Sequence, residues 1–525
     1  MGLKELNERF PGGLHKSSFR DTDYPDKQVY WYTFAGAQCP VCGHRDWCCV
    51  NITGTKVICM RESKEGAPAV AGGHLFELDG KSKIKFDPTQ VEDDDTVKYT
   101  DTETMDILNR LVLLANPLTK NHREALKKRG LTDQEIDLHG SRGFGSYYET
   151  PSEAKAAGAK AFEQAKIVAD QNDEKRATVI SRWAQVLSNV GLPTNAWEGV
   201  PGFYLETINQ KADAHLQNKE TKQTFTLKAG QYEFPKFTGS VDGMLVPYYD
   251  TNNEVIGFQT RVDHVMVTAK DIQYTGLGTA QVFFKAGTKH YEVNIKDKAN
   301  PYGKVVAQGD VKDESQVHLK LSDDLNQEIT FTPHFGGKYF WASSAKKHHG
   351  AKGKTPIQVA YQPAIAQLKP NDPKLQSYRQ RAHKTVWLTE GGLKALVAAA
   401  KLNHDYQLDD PEFGHDFLAV AGVSSFRKFY PVLEELNVEN VIVAFDMDFQ
   451  KNQQVKNNLK ELMNGLHQRG YHVQLALWQH VKGIDDALVN HEEIKLRDLF
   501  DAKEGQALAK GELKPSDLPT LKPKN

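Results

Sequence analysis

The chain has few cysteines and no long apolar segment. Its five cysteines, in 525 residues, all lie between positions 39 and 59, and the 466 residues after Cys59 contain none. A secreted protein stabilised by disulfides would distribute its cysteines along the chain, so this pattern argues against that class. No stretch approaches the roughly 18 apolar residues of a membrane-spanning helix. The N-terminal residues are charged and lack the apolar core of a signal peptide, which favours a cytoplasmic protein with no membrane partner.

The sequence also lacks an excess of charge of either sign. It has 66 Lys and Arg residues and 68 Asp and Glu residues, a formal net charge of −2. No overall positive field therefore indicates a nucleic-acid partner. The balance does not exclude one, because an acidic catalytic site can offset a basic binding surface. At roughly 100–200 residues per domain, the length predicts two to four domains.

The cysteine cluster predicts a zinc-ribbon module over residues 1–80. Cys39 and Cys42 form a C-x2-C pair, and the segments WCCVNI and TKVICM flank a Thr-Gly turn in a predicted hairpin. This hairpin brings Cys59 beside Cys48 and Cys49, whose side chains point to opposite faces of their strand. We predict that Cys39, Cys42, Cys48 and Cys59 bind Zn²⁺ and that Cys49 is a buried apolar residue.

Alternative zinc ligands remain open in the sequence. The spacing does not decide between Cys48 and Cys49, because either can face Cys59 across the hairpin. His44 and His74 are further candidates, since imidazole nitrogen is a common zinc ligand.

Composition divides the rest of the chain into several regions. The acidic segment 81–104 predicts a linker. Residues 105–383 predict an α+β subdomain that contains a short helix in ALKKRGLTDQEID and a hairpin in DGMLVPYYDTNNEVIGFQTRV. Within it we predict a helical insertion at 150–195, rich in Ala, Lys and Glu, and a β-rich insertion at 265–335. Residues 491–525 predict a C-terminal helix and a disordered tail.

Residues 384–490 alternate between predicted strands and predicted helices. TVWLTE, FLAVAG, VIVAFD and VQLALW are short, almost continuous apolar runs, each followed by a helical pattern or a loop. This alternation is typical of a parallel sheet covered by helices on both faces. We therefore predict an α/β parallel-sheet domain, and in such domains functional groups collect at the carboxyl ends of the strands.

Five acidic residues follow those predicted strands: Glu390, Asp446, Asp448, Asp485 and Asp486. Crowded carboxylates raise one another's pKa unless cations neutralise them, and oxygen ligands favour Mg²⁺ or Mn²⁺. Such a site suits phosphoryl transfer. A single acid in a loop of this kind is more often a helix cap, so the recurrence of acids at three strand ends is what favours a catalytic metal site.

The order of these motifs resembles that of bacterial and phage DNA primases. TEGGLKAL, AFDMD and KGIDDAL resemble the glutamate-glycine, D-x-D and final-acid motifs of the Toprim domain. Upstream, ALKKRGLTDQEID, the hairpin DGMLVPYYDTNNEVIGFQTRV and GGKYFWASS resemble three elements of the primase core. The chain is most similar to primase-type proteins of plasmids, phages and integrative elements. It departs from their D-G-D motif at Met447, where glycine is typical.

The resemblance implies a DNA primase, a nucleotidyltransferase that makes short primers on single-stranded DNA from nucleoside triphosphates. It implies Mg²⁺ or Mn²⁺ on Glu390, Asp446 and Asp448, with Asp485 or Asp486 as the last acid. It allows a replicative helicase as a further partner.

The resemblance also implies contacts between basic residues and the template or nucleotide phosphates. The residues at matching positions are Arg129, Arg261, Lys338 and Lys394. For Arg129 a structural role is the alternative.

Two other functions remain open. The first is a Toprim nuclease or topoisomerase-like enzyme, and the second is a DNA-binding replication factor with an inactive Toprim domain. The segment GAKGKT at 350–355 is not a P-loop, because His348 occupies the position of its first glycine. We interpret Lys346–Lys354 as a solvated basic loop that could contact a nucleic-acid backbone.

Overall fold

The structure is a computed structural model in which the chain divides into two units, Met1–Lys98 and Tyr99–Asn525. It describes all residues except 1–5, 7–8, 12–13, 22–28, 35–36, 46–47, 63–68, 71–72, 79–99, 161, 171, 219–221, 286, 323–326, 383, 407–413, 448–452, 499–519 and 524–525. Residues 81–99 of the predicted acidic linker, Asp448 and most of the predicted C-terminal tail therefore lie outside the described residues. The last three residues of that predicted linker, 102–104, begin a helix instead.

The first unit is built on one antiparallel sheet. Its strands are β1 Leu14–Arg20, β2 Tyr30–Phe34, β3 Cys49–Val50, β4 Lys56–Cys59, β5 Ala69–Val70 and β6 Gly73–Glu77. They lie in the order β1-β2-β3-β4-β6-β5. The predicted cysteine hairpin is the pair β3–β4, in which Cys49 faces Ile58 and Val50 faces Val57.

The second unit is a mixed α/β structure. Its described helices are α1 Thr102–Ala115, α2 Lys120–Lys128, α3 Asp133–Ile136, α4 Pro151–Ala156, α5 Arg182–Asn189, α6 Pro363–Ala366, α7 Pro373–Gln380, α8 Gly392–Asp405, α9 Phe429–Glu435, α10 Gln453–Gln468 and α11 Ile484–Val489. Two 3₁₀ helices span Gly140–Arg142 and Val423–Lys428.

The described strands of the second unit form six sheets. Their bounds are β7 Gly145–Tyr147, β8 Ala165–Ala169, β9 Arg176–Ser181, β10 Phe203–Gln210, β11 Ala214–Gln217, β12 Thr224–Leu227, β13 Gly230–Phe237, β14 Gly243–Tyr249, β15 Val255–Val262, β16 Val267–Tyr274, β17 Thr279–Phe284, β18 His290–Lys296, β19 Lys304–Asp310, β20 Val317–Ser322, β21 Gln327–Phe335, β22 Tyr339–Trp341, β23 Gln358–Ala360, β24 Lys384–Glu390, β25 Asp416–Val420, β26 Val438–Val443, β27 His472–Leu477, β28 Ile494–Asp498 and β29 Thr520–Leu521. Of the described helices in this unit, none is both long and apolar enough to cross a membrane.

The predicted hairpin is the antiparallel pair β14–β15 at the centre of the sheet β22-β15-β14-β7. Every residue of β14 is buried because the sheet is covered on both faces. Leu245 packs into the core that includes α1, whereas Met244 packs on Leu393 and Val397 of α8. Alternate side chains of a strand point to opposite faces, so an apolar residue is required at each position.

The β-rich prediction for 265–335 corresponds to six strands, β16 to β21. They form two three-stranded sheets, β16-β21-β20 and β17-β18-β19. Val293, Ile329 and Phe331 are buried in a hydrophobic core to which both sheets contribute side chains. The insertion therefore has a hydrophobic core of its own.

The prediction of a helical insertion at 150–195 is wrong for its central part. Helices α4 and α5 lie at its two ends, but β8 and β9 between them form an antiparallel hairpin. Helix propensity favours the Ala, Lys and Glu residues of this segment, whereas β-branched residues such as Ile167 and Val179 favour a strand. Pairing of β9 with β12 supplies the tertiary context that decides between them.

A seven-stranded sheet occupies the C-terminal part of the second unit, in the order β23-β25-β24-β26-β27-β28-β29. The four predicted apolar runs are β24 to β27, and these neighbours pair in parallel. Both faces of the sheet are buried, with Val386 and Leu388 on one side and Trp387 on the other. This burial explains why the apolar runs are continuous.

The edges of this sheet differ from the prediction of a purely parallel domain over 384–490. Strands β23, β28 and β29 pair in antiparallel fashion, and all three lie outside that range. The described residues of 491–525 form strands, so the predicted C-terminal helix is not found among them. Alternate burial in β28, with Ile494 and Leu496 buried, is typical of a strand.

Candidate functional site

Four cysteines of the first unit form a compact group. The sulfur atoms of Cys39, Cys42, Cys48 and Cys59 all lie within 4.8 Å of one another. The Cys42 and Cys48 sulfurs are 3.6 Å apart, and those of Cys48 and Cys59 are 3.7 Å apart. Four sulfur atoms at such separations are the ligand set of a tetrahedral structural zinc site.

Backbone N–H groups point at two of these sulfurs. Met60 donates to the Cys48 Sγ at 3.4 Å, and Glu62 donates to the Cys59 Sγ at 3.3 Å. In the C-x2-C turn, Gly43 has a φ of +72° and donates its N–H to the Cys39 carbonyl at 2.8 Å. The two N–H groups that donate to sulfur stabilise thiolate, which is the form that binds a metal.

The electrostatics of three of these thiols differ. Burial raises the pKa of Cys39 from 9.0 to about 11, and it raises that of Cys48 further. At Cys42 burial acts in the same direction, but hydrogen bonds with His44, Cys48 and Cys59 together outweigh it and lower the pKa to about 6. A bound metal ion deprotonates coordinating thiols. The donor set therefore fits Zn²⁺, and Cys42 is more acidic than Cys39 and Cys48.

Cys48, and not Cys49, belongs to this group. Cys49 points to the other side of the sheet, where it is buried against Trp31 and Ile58 and lies 3.5 Å from the hydroxyl of Thr33. The described residues of the group include neither of the alternative histidine ligands. His44 lies beside it and contacts the Cys42 carbonyl at 2.9 Å, so this residue supports the turn that holds Cys42.

The second candidate site is the carboxyl end of the parallel strands in the second unit. We call Glu390, Asp446, Asp485 and Asp486 the acidic edge. Glu390 ends β24, Asp446 follows β26, and the other two begin α11 after β27. The Ala444 N–H donates to the Leu388 carbonyl at 2.8 Å, which continues the pairing of β24 with β26 towards these acids.

Lysines contact both oxygens of Asp446. The Lys394 ammonium, on α8, donates to Oδ1, and the Lys482 ammonium lies 3.5 Å from Oδ2. The Asp446 and Lys394 side chains are about five-sixths buried, with 16% and 15% exposed. Lys394, which we predicted to contact the template or nucleotide phosphates, thus lies beside the acids, and its described partner is a carboxylate of the chain itself.

Arg129 pairs with Asp485, which is only 2% exposed. Its guanidinium donates to the Asp485 Oδ2, and the Asp485 Oδ1 is buried without a hydrogen-bond partner. The predicted nucleic-acid contact Arg129 and the predicted catalytic acid Asp485 thus meet in one ion pair. This geometry supports the structural alternative for Arg129.

Gly130 fixes the position of Arg129 against α11. Its φ is +94°, and a Cβ atom at this position would lie 2.5 Å from Val489. We expect Gly130→Ala to lower the free energy of unfolding of this unit by about 2–4 kcal/mol, because alanine is strained in the left-handed conformation and its Cβ would clash with Val489. The matched control is Gly158→Ala, which has a φ of +68° and nothing within 4 Å. Equal losses for the two variants in denaturant unfolding would contradict this close packing.

Asp486 is the exposed member of the acidic edge. Partial burial and the neighbouring Asp485 raise the pKa of Asp486 above its usual value. Among the described residues, the acids do not place three ligand oxygens within 4.8 Å of one another. Asp448, the second acid of the D-x-D motif, lies outside the described residues.

Tyr248 and Gln259 are site residues that the motifs did not indicate. The Gly392 N–H donates to the Tyr248 hydroxyl at 3.2 Å, and this hydroxyl donates to Gln259 Oε1 at 2.8 Å. Trp341 packs on the Tyr248 ring with a centroid distance of 4.6 Å. These contacts attach the hairpin sheet to the start of α8, next to Glu390. In the sequence they appear only as residues with polar groups at two positions of the predicted hairpin.

Arg261 and Lys338 line two different cavities. Arg261 pairs across strands with Met244 and Tyr339, so it lies on the sheet face that packs on α8. It lines a cavity of about 810 Å³. Lys338 instead lines a cavity of about 550 Å³ that the β-rich insertion completes. Asp263 and His264 border both cavities.

A Ser–His–Asp arrangement also borders the larger cavity. His122 lies 2.7 Å from the Ser146 hydroxyl and 2.6 Å from Asp263. Ser146 is 3% exposed and accepts the Thr119 N–H, so its oxygen is not accessible to a substrate. The arrangement therefore connects α2 to the sheet and is not a nucleophilic site.

Comparison with known families matches residues 375–495 to the model of a domain of unknown function, DUF3854. The matched region begins in α7, ends in β28 and contains every member of the acidic edge. Comparison with curated proteins finds no match. The chain is thus similar, over the strands β24 to β27 and the helices between them, to a family whose description assigns no activity.

Proposed function

We propose that the chain is a metal-dependent nucleotidyltransferase that synthesises short primers on single-stranded DNA, as the resemblance to primases implies. The observation that carries the proposal is the acidic edge. Carboxylates follow β24, β26 and β27, three neighbouring parallel strands of one sheet. The carboxyl end of such strands is where open α/β sheets bind their ligands.

Glu390 and Asp446 would hold Mg²⁺ or Mn²⁺ together with the D-x-D partner Asp448. When bound, such an ion stabilises the charge that develops on a transferring phosphoryl group. The carboxylates supply the negative charge and the oxygen ligands for it. Lys394 offsets the repulsion between these acids through its ion pair with Asp446. Arg129 does the same for Asp485 and keeps α11 in place.

A second candidate function is DNA binding by a domain without metal chemistry. The observation in its favour is the state of the acids, since Asp446 and Asp485 already have cationic partners within the chain. An inactive domain would retain such internal ion pairs to stabilise its buried carboxylates. The two candidates therefore differ in whether the protein catalyses a reaction that requires divalent cations.

Glu390→Gln is expected to reduce primer synthesis by about 10²-fold or more, because a charged group at the reacting centre is lost. The measurement is incorporation of labelled nucleotides on single-stranded DNA with Mg²⁺ or Mn²⁺. Glu434→Gln is the matched control, since Glu434 is an exposed acid on α9. Absence of products with both metals, or products undiminished by Glu390→Gln, would contradict the proposal. Nicking of plasmid DNA would instead support a nuclease.

A further inference from the structure

Between Glu328 and Asp372 the chain contains no acidic residue. Residues 329–371, 43 positions, include six lysines and no Asp or Glu. Four of these lysines and two histidines lie in residues 345–355, which we call the basic loop. Its cationic and titratable side chains are Lys346, Lys347, His348, His349, Lys352 and Lys354. The net charge of −2 for the whole chain thus gives no indication of this strongly basic segment.

The basic loop is held in one conformation by backbone contacts. Its two ends are joined by Ser344, which donates its N–H to the Ala351 carbonyl at 2.9 Å and accepts the Ala351 N–H on its hydroxyl. The His348 carbonyl accepts the Leu205 N–H of β10 at 2.8 Å. Gly350 is required, since a Cβ there would lie 1.8 Å from the Ser344 carbonyl. A binding surface ordered in advance loses less conformational entropy when it binds a ligand.

The cations of the basic loop face solvent. Lys346, Lys347 and Lys352 are exposed, and the Lys347 ammonium lies 5.1 Å from the centre of the Tyr204 ring. The Lys236 ammonium lies 6.0 Å from the centre of the same ring and pairs with Glu149 at 3.1 Å and with Glu206 at 3.9 Å. These two acids therefore already have a cationic partner, which limits how far they offset the loop.

Contacts connect the basic loop to the acidic edge on two sides. Gly353 packs on Trp341, whose ring packs on Tyr248, and the Tyr248 hydroxyl accepts the Gly392 N–H next to Glu390. On the other side the Thr355 carbonyl accepts a hydrogen bond from Lys428 at 2.6 Å.

Lys428 ends the 3₁₀ helix that follows β25, at the same end of the sheet as the acids. The β25 residue Val420 in turn accepts the Gly391 N–H at 2.7 Å. The basic loop and the acidic edge therefore belong to one packed region of the second unit.

We infer that the basic loop binds the phosphate backbone of single-stranded DNA without regard to sequence and leads the strand towards the acidic edge. The binding part follows from exposed, preordered cations with no acidic residue among them. The direction towards the acidic edge rests on the proposed function.

The test replaces Lys346, Lys347 and Lys352 together with glutamine in the full-length chain. Anisotropy of a labelled single-stranded oligonucleotide is measured over a range of salt concentrations. We expect about tenfold weaker binding and a slope of log K against log salt smaller by about 2, because each lost phosphate contact contributes about 0.7. The matched control changes Lys160, Lys166 and Lys175, which are also exposed lysines of this unit, to glutamine.

A neutral-backbone oligomer of the same sequence serves as a second probe and is expected not to bind. Unchanged affinity and salt slope in the triple loop variant, an equal loss in the control variant, equal binding of the neutral oligomer, or no binding by the wild-type chain would each overturn the inference.

Glu390→Gln separates this inference from the proposed function. If the wild-type chain and Glu390→Gln bind DNA equally while the loop variant loses binding, and the wild-type chain forms no primers with either metal, the loop inference stands and the proposed function fails. If the wild-type chain makes primers but the loop variant binds DNA normally, only the loop inference fails.

Discussion

Chelation of zinc is expected to unfold residues 1–98 while residues 99–525 remain folded. The four sulfur ligands all lie in the first unit, and its small sheet has a core in which three of those cysteines are buried residues. Structural zinc contributes an apparent 10–16 kcal/mol to the folding of zinc-finger peptides, about as much as or more than such a unit has in total. Limited proteolysis after treatment with a strong chelator, read by mass spectrometry, measures the effect.

Cys48→Ser and Cys49→Ser form the matched pair for this prediction. The two thiols are adjacent and both are buried, but only the Cys48 sulfur belongs to the four-sulfur group. We expect Cys48→Ser to lose the bound metal ion and Cys49→Ser to retain one equivalent per chain, as determined by elemental analysis. A metal-free wild-type protein with a protease-resistant first unit would contradict the zinc assignment. Equal metal loss in both variants would contradict the choice of Cys48.

Local patterns in the sequence were sufficient where burial is nearly complete. Strands β24 to β27 are covered on both faces, so their apolar runs identify them and their order along the chain. The hairpin β14–β15 has the same advantage. The grouping of cysteines was also accessible, because a C-x2-C pair and a short hairpin bring the four sulfurs together through local geometry.

Elements that depend on tertiary partners were not accessible in this way. The strands β8 and β9 are half exposed and pair with each other, and β9 also pairs with β12, whose partner residues lie 50 positions further along the chain. Strands β23 and β28 lie outside the predicted boundaries because antiparallel pairing across a sheet leaves no mark on composition. Propensity alone therefore favoured a helical segment where β8 and β9 lie, and a C-terminal helix and tail where β28 lies.

The acidic edge contains one feature that was predicted from the sequence and one that was not. The motifs predicted that acids would follow neighbouring parallel strands, and the order of β24, β26 and β27 agrees with the geometry that this requires. The partners of those acids could not be predicted. Arg129 and Asp485 are separated by 356 positions, and no periodicity connects residues at such a distance. The basic residues that the resemblance associates with phosphates include two, Arg129 and Lys394, whose described partners are carboxylates.

Arg129→Met is expected to lower the free energy of unfolding of the second unit by about 3–5 kcal/mol. Removing one member of a buried ion pair leaves the other charge without compensation. The Asp485 side chain is 2% exposed, so loss of the guanidinium leaves its carboxylate charge buried. Methionine retains much of the length and apolar volume of the arginine side chain, which restricts the change mainly to the charge. Denaturant unfolding followed by fluorescence measures the loss.

The double variant Arg129→Met with Asp485→Asn identifies the cause of that loss. It removes both charges, and we expect it to recover most of the stability that Arg129→Met loses, because no unpaired carboxylate remains. If the double variant is as unstable as the single variant, packing around Arg129 and not its charge is responsible.

The same proteins distinguish the two roles considered for Arg129. A phosphate contact would reduce the salt slope of single-stranded DNA binding by about 0.7 in Arg129→Met, and recovery of stability in the double variant would leave that reduction in place. A purely structural Arg129 changes stability alone, and we expect this second result because its guanidinium already pairs with Asp485.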